Sequence, residues 1–150
     1  MGDEAVIKMT ELMRRLLHDA LSDGVPCLVG TASRDGRPQI SPKGSVAVLD
    51  DQTLCFWERS NRTVRSHIGE NPQVVVYYRN AARASEIPFR GAALRFHGVA
   101  SVVLDGPERE RIWDATVPAE QERDPEKSGV GVLIRVTRIE ELSGAVVMEE

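Results

Sequence analysis

Pro38-Gln39-Ile40-Ser41-Pro42-Lys43-Gly44-Ser45 opens a stretch that runs through Val46-Ala47-Val48-Leu49, Asp50-Asp51 and Thr53-Leu54-Cys55-Phe56-Trp57-Glu58 into Arg59-Ser60-Asn61-Arg62-Thr63-Val64-Arg65. It reads as a strand whose pairing breaks near Pro42, an apolar return, a turn at Asp50-Asp51 and a second strand from Thr53 to Glu58. A short helix follows, capped by Ser60 or Asn61 and closed by Asn71-Pro72. Hydroxyls, an amide and arginines therefore gather where helix N–H groups lack partners within the helix. That combination suits a phosphate.

Upstream, Leu12, Met13, Leu16, Leu17, Ala20 and Leu21 form a helical stripe beginning near Asp3 or Thr10 and stopped by Gly24 and Pro26. Cys27 to Ser33 is a small-residue strand, and Asp35-Gly36 turns it back into Pro38 to Ser41. Downstream, Gln73 to Arg79 is dense in β-branched and aromatic residues and predicts a strand. A patternless loop follows from Asn80 to Pro88. A long strand runs from Ala92 to Leu104 with a bend at Gly98. Pro107 opens a charged helix carrying Ile112, Trp113 and Val117, then a helical turn and loop cover Pro118 to Lys127. Gly129 to Leu142 alternates as the last strand. Short strands with tight turns predict a small antiparallel barrel rather than alternating βαβ units.

The chain has 150 residues, a length that fits one domain spanning 1–150. Its net charge of −4 argues against non-specific nucleic-acid binding. The charge is uneven: Asp105 to Glu126 is mainly acidic and Arg59 to Arg65 is basic. Cys27 and Cys55 sit in apolar runs without metal-ligand spacing, as buried thiols in a reducing compartment do. No signal-peptide pattern and no run near the ~20 apolar residues of a membrane span occur, so the expectation is a cytoplasmic protein with no membrane partner.

Taken in order, Gly30-Thr31-Ala32-Ser33, Asp35-Gly36-Arg37-Pro38-Gln39-Ile40-Ser41-Pro42, Leu54-Cys55-Phe56-Trp57, Ser60-Asn61-Arg62-Thr63-Val64-Arg65, Glu70-Asn71-Pro72-Gln73 and Phe96-His97-Gly98-Val99-Ala100 resemble the FMN-binding split-barrel family related to pyridoxamine 5′-phosphate oxidase. The resemblance covers roughly residues 5 to 142. It implies a mainly β (α+β) fold, a six-stranded antiparallel split β-barrel with flanking helices. It further implies a homodimer with FMN at the subunit interface. By position, the family's flavin-contacting segments fall on Ser41, Pro42, Lys43, Gly44 and Ser45, and on Trp57, Glu58, Arg59, Arg62 and Thr63. In that reading Lys43 lends positive charge to a reduced ring, while Arg62 and Thr63 hold the phosphate.

The function implied is an oxidoreductase acting on a small molecule by hydride transfer through FMN, with NAD(P)H among the candidate electron donors. Ser41 and Val46 stand where the oxidases resembled carry an Arg and a Lys, and no Trp and Arg pair follows Ser143. Vitamin B6 oxidation is therefore not expected. A deazaflavin in place of FMN stays open. So does a non-catalytic flavin- or haem-binding protein for storage, sensing or electron transfer, and so does an empty dimeric scaffold. No acid–base residue stands out, and no metal set is visible. Blander readings stand beside these. Arg59, Arg62 and Arg65 make a solvated helix face paired with Glu58 and Glu70, Lys43 is a loop lysine, and Trp57 and Trp113 pack. His18 and His67 lie on helix surfaces, and His97 is a satisfied barrel or interface histidine.

Overall fold

The structure, a computed structural model, describes residues 6–59 and 62–150, with the side chain of residue 62 left out. Helix α1 (Glu11–Asp19) starts where Thr10 accepts a hydrogen bond from the Met13 N–H, and it buries Met13, Leu16 and Leu17. Of the two expected starts, Thr10 is the one the cap selects. Strands β1 (Cys27–Ala32) and β2 (Pro38–Lys43) form the hairpin, turned by Gly36 at φ +87°. Then come β3 (Ala47–Val48), β4 (Thr53–Glu58), α2 (Arg62–Glu70) and β5 (Gln73–Arg79). Two 3₁₀ turns lead to β6 (Ala93–Val103), followed by α3 (Gly106–Ala115), α4 (Pro118–Gln121), β7 (Val130–Glu141) and β8 (Val146–Glu149).

All strand pairs are antiparallel, and the eight strands make one sheet ordered β2-β1-β5-β6-β7-β4-β3, with β8 on β7. The two ends of that order, β2 and β3, are consecutive in the chain and joined by residues 44–46. A link that short spans at most about 14 Å, so the sheet must curl until its edges meet. The result is a split barrel whose seam runs between β2 and β3. Among the described residues, eight strands replace the six expected. β3 has only two residues, and β8 forms from the tail by pairing with β7.

Pairing also extends further than the sequence suggests. Leu28 faces Pro42 and Cys27 faces Lys43. Pro42 is tolerated because β2 is an edge strand with one neighbour, so its missing N–H interrupts no ladder. At Gly98 the predicted irregularity is present as a register shift between His97 and Gly98. A Cβ on Gly98 would lie 2.5 Å from the Arg135 carbonyl oxygen, so the two strands approach too closely for any side chain.

The main core fills the barrel with Phe56, Val76, Tyr78, Phe96, Ile134 and Ile139, closed at one end by α1. A smaller cluster of Ala47, Cys55, Trp57 and Ile112 lies on the other side of β4 under α3. β4 is thus covered on both faces, which explains its unbroken apolar run from Leu54 to Trp57. Cys27 and Cys55 are free and buried, and burial pushes both thiols up to about 12. No helix among the described residues is long and apolar enough to cross a membrane.

Candidate functional site

The seam holds a cleft of ≈ 440 Å³, within the roughly 300–1,000 Å³ range of small-molecule sites. Pro42, Lys43 and Gly44 line it from the β2 side, and Trp57, Glu58 and Arg59 from the end of β4. Leu21, Pro26, Glu120 and Arg123 complete the wall. Six of the ten residues expected at the site therefore meet in one place, across a chain separation that only the curl of the sheet closes.

The other four are placed differently. The Ser45 hydroxyl is buried, accepting from the Trp57 N–H at 3.0 Å and donating to the Trp57 carbonyl at 3.2 Å, so it ties the β2–β3 link to β4. Ser41 is buried on β2 and accepts from Gln39 Nε2 at 3.2 Å. Thr63 lines a second cleft of ≈ 430 Å³ between α2 and the β1–β2 turn, with Ser33, Asp35, Arg37, Ser66 and His67. The Arg62 side chain lies outside the described residues.

Two expectations are corrected. His67 is not a surface residue. It is 8% exposed, and its Nδ1 lies 3.0 Å from the buried Thr31 hydroxyl. Lys43 is not a loose loop lysine. Its Nζ sits 2.6 Å from Glu58 Oε1, and the Glu58 side chain is 0% exposed. The pair carries no net charge, so Lys43 alone does not add positive charge to the cleft. Its contact with Glu58 is close but poorly aligned, and neither Glu58 oxygen has a well-formed hydrogen bond among the described residues. Glu58 Oε2 is left with no partner at all among them, a costly arrangement for a buried carboxylate.

Charge in the cleft is mixed. Lys43, Arg59 and Arg123 face Glu58 and Glu120, leaving one net positive charge. Glu120 is 6% exposed, and its nearest cation among the described residues, Arg123, is 3.9 Å away at the surface. The Glu120 carboxylate lies over Gly44, where a Cβ would come within 2.8 Å of Oε2. No ion pair of Arg59 or Arg65 occurs among the described residues, and Glu58 and Glu70 turn instead to Lys43 and to the Arg34 N–H.

Trp57 packs, as its residue chemistry suggests. Its ring stands edge-on to Trp113 at 4.8 Å between centroids, and the Arg109 guanidinium lies 4.8 Å from the ring centre. Its indole N–H donates to Asp124 at 2.8 Å. Asp124 also accepts from the Ser128 N–H and hydroxyl and from the Gly129 N–H at 2.8 Å. Burial works against its charge, but these four donors win and hold the Asp124 carboxyl down at about 2. Gly129 must be glycine here, since a Cβ would lie 2.4 Å from the Glu58 carbonyl oxygen. Asp124 and Gly129 thus lock the loop that brings Glu120 and Arg123 to the seam. Neither residue stands in a motif that marks it in the sequence. The one signal of this contact is the acidic 105–126 segment, complementary in sign to the basic 59–65.

Among the described residues no group of three or more His, Cys, Asp or Glu side chains could hold a metal ion. Comparison with curated proteins gives no significant match. Solved structures share the fold. HupZ of Group A Streptococcus is 24% identical with a TM-score of 0.66, covering 93% of this chain and 98% of that one. An FMN-binding protein from Syntrophomonas wolfei subsp. wolfei is 14% identical with a TM-score of 0.64, covering 88% and 90%. An F420 reductase is 20% identical with a TM-score of 0.54, covering 75% and 86%. The family model for pyridoxamine 5′-phosphate oxidase matches residues 13–142, and the chain belongs to that family.

Proposed function

We propose that the protein binds FMN in the seam cleft and serves as an oxidoreductase toward a small molecule. The observation that carries this reading is a cleft of cofactor size with one net positive charge, on a member of the pyridoxamine 5′-phosphate oxidase family. FMN, when bound, supplies a ring that accepts and gives up hydride. The chain's part is to bind and orient. Arg59 and Arg123 at the cleft wall offer charge-assisted bonds to an anionic tail, while Pro42 and Gly44 bring backbone close to a polar ring edge. Arg62 and Thr63 remain candidates for the phosphate, Thr63 from the α2 turn beside the second cleft.

A deazaflavin is the second reading, favoured by the fold shared with an F420 reductase. We further propose a homodimer. Ile40 is 70% and Leu28 37% exposed on the edge hairpin, beside a groove lined by Gly30, Val74 and Val75. The deciding experiment is an absorption spectrum and mass analysis of the small molecule released when the purified protein is denatured, followed by reduction under NAD(P)H. FMN that bleaches and reoxidises with an acceptor supports the proposal. Colourless protein that takes up no FMN overturns it, and haem absorbance moves the reading to a non-catalytic haem-binding protein.

A further inference from the structure

We propose that Glu120 is the substrate-recognising carboxylate of the seam, and that the small molecule brought to the flavin carries a protonated amine on an apolar body. The inference rests on the flavin reading above and deepens it by naming the class of substrate. Glu120 comes from α4, outside the segments that the family resemblance assigns to the cofactor. It is more than nine-tenths buried, yet it lines the cleft. Unlike those of Glu58, its oxygens are not sealed from solvent, and they accept no hydrogen bond among the described residues. A glutamate three places after a helix cap ordinarily reaches back to the cap N–H. Glu120 holds that place after Val117 and instead turns its Oε2 over Gly44, so no local role absorbs its charge. A carboxylate this buried calls for a donor, and a ligand in the cleft is placed to supply one.

Charge decides which donor. Lys43 and Glu58 cancel each other, and the phosphate of FMN, with about two negative charges, matches Arg59 and Arg123. The excess negative charge then sits on Glu120. Its own contact with Arg123, at 3.9 Å and on a side chain 58% exposed, offsets little of it. A protonated amine restores neutrality, whereas an alcohol supplies only a hydrogen bond and a carboxylate is repelled. Apolar surface adjoins the acceptor. A Cβ on Gly44 would lie 3.0 Å from both Leu21 methyls as well as 2.8 Å from Glu120 Oε2, and Pro26 lines the same cleft. An amine on a hydrocarbon group therefore finds its acceptor and its packing surface together.

The test titrates the FMN-loaded full chain with benzylamine, benzyl alcohol and benzoate, following the amide NMR signals of Gly44 and Glu120. The three probes share one ring and differ in charge. In wild type, benzylamine should bind about 10- to 100-fold more tightly than benzyl alcohol, the worth of a hydrogen bond to a charged group, and benzoate more weakly than either. Glu120→Gln keeps the size and removes the charge, so the amine preference should shrink to within about 3-fold. A merely structural Glu120 would lower stability in that variant and leave the preference unchanged. Equal binding of amine and alcohol in wild type, or a preference that survives in Glu120→Gln, overturns the inference and leaves the flavin reading intact. Failure of FMN itself to bind overturns both. If Glu120→Gln does not fold, the wild-type order of the three probes decides.

Discussion

Asp124 is the residue whose chemistry is most one-sided. Four donors converge on it, and its folded carboxyl sits at about 2 instead of the ordinary 3.8. A depressed value means that its stabilisation is complete above the unfolded carboxyl's range and is lost as pH falls through about 2. Asp124→Asn should therefore cost on the order of 1–2 kcal/mol at pH 7, with solvent screening discounted, and the gap to wild type should narrow below about pH 4. Urea midpoints across that pH series check this, and a gap independent of pH would contradict it. Lys43 and Glu58 make a second prediction at the same scale. Lys43→Met alone strands a buried charge and should cost about 3–5 kcal/mol, whereas Lys43→Met with Glu58→Leu should be near neutral. Denaturant unfolding of the two variants decides, and equal costs would count against a buried pair.

Among the elements, β6 shows what sequence can and cannot convey. Its bend was legible because an isolated Gly98 inside a strand pattern signals a bulge or close approach. Gly98→Ala should destabilise by more than about 2 kcal/mol, because the obstruction is the Arg135 backbone and not a movable side chain. A thermal midpoint unchanged from wild type would refute that contact. Strands β4 and β5 were legible for a related reason, since β-branched and aromatic runs bounded by Asp50-Asp51 and Pro72 fit only a pleated surface. β8 was not. Val146–Glu149 is a strand because β7 extends an edge to pair with, a fact of tertiary structure. Burial of His67 was hidden likewise, because α2 turns that face onto Thr31, 36 positions away.

For the whole molecule, the curl that joins β2 to β3 explains why the site was half readable. Residues 41–45 and 57–59 could be picked as segments, and the family resemblance paired them. The ion pair from Lys43 to Glu58 and the arrival of Glu120 and Arg123 depend on how a closed sheet and a locked loop bring distant residues together. The exposed hairpin makes a prediction at this scale. Ile40→Glu, on a residue already 70% exposed in the single chain, should leave the fold intact and shift the protein from dimer to monomer in light scattering. A monomeric wild type, or a variant that stays dimeric, would place the interface elsewhere.

Hydrogen exchange of the full chain with and without saturating FMN decides whether the seam cleft is the flavin site. Added protection should concentrate in residues 43–45, 57–59 and 120–123. Protection confined to residues 33–37 and 63–70 around the second cleft, or no change anywhere, would contradict it.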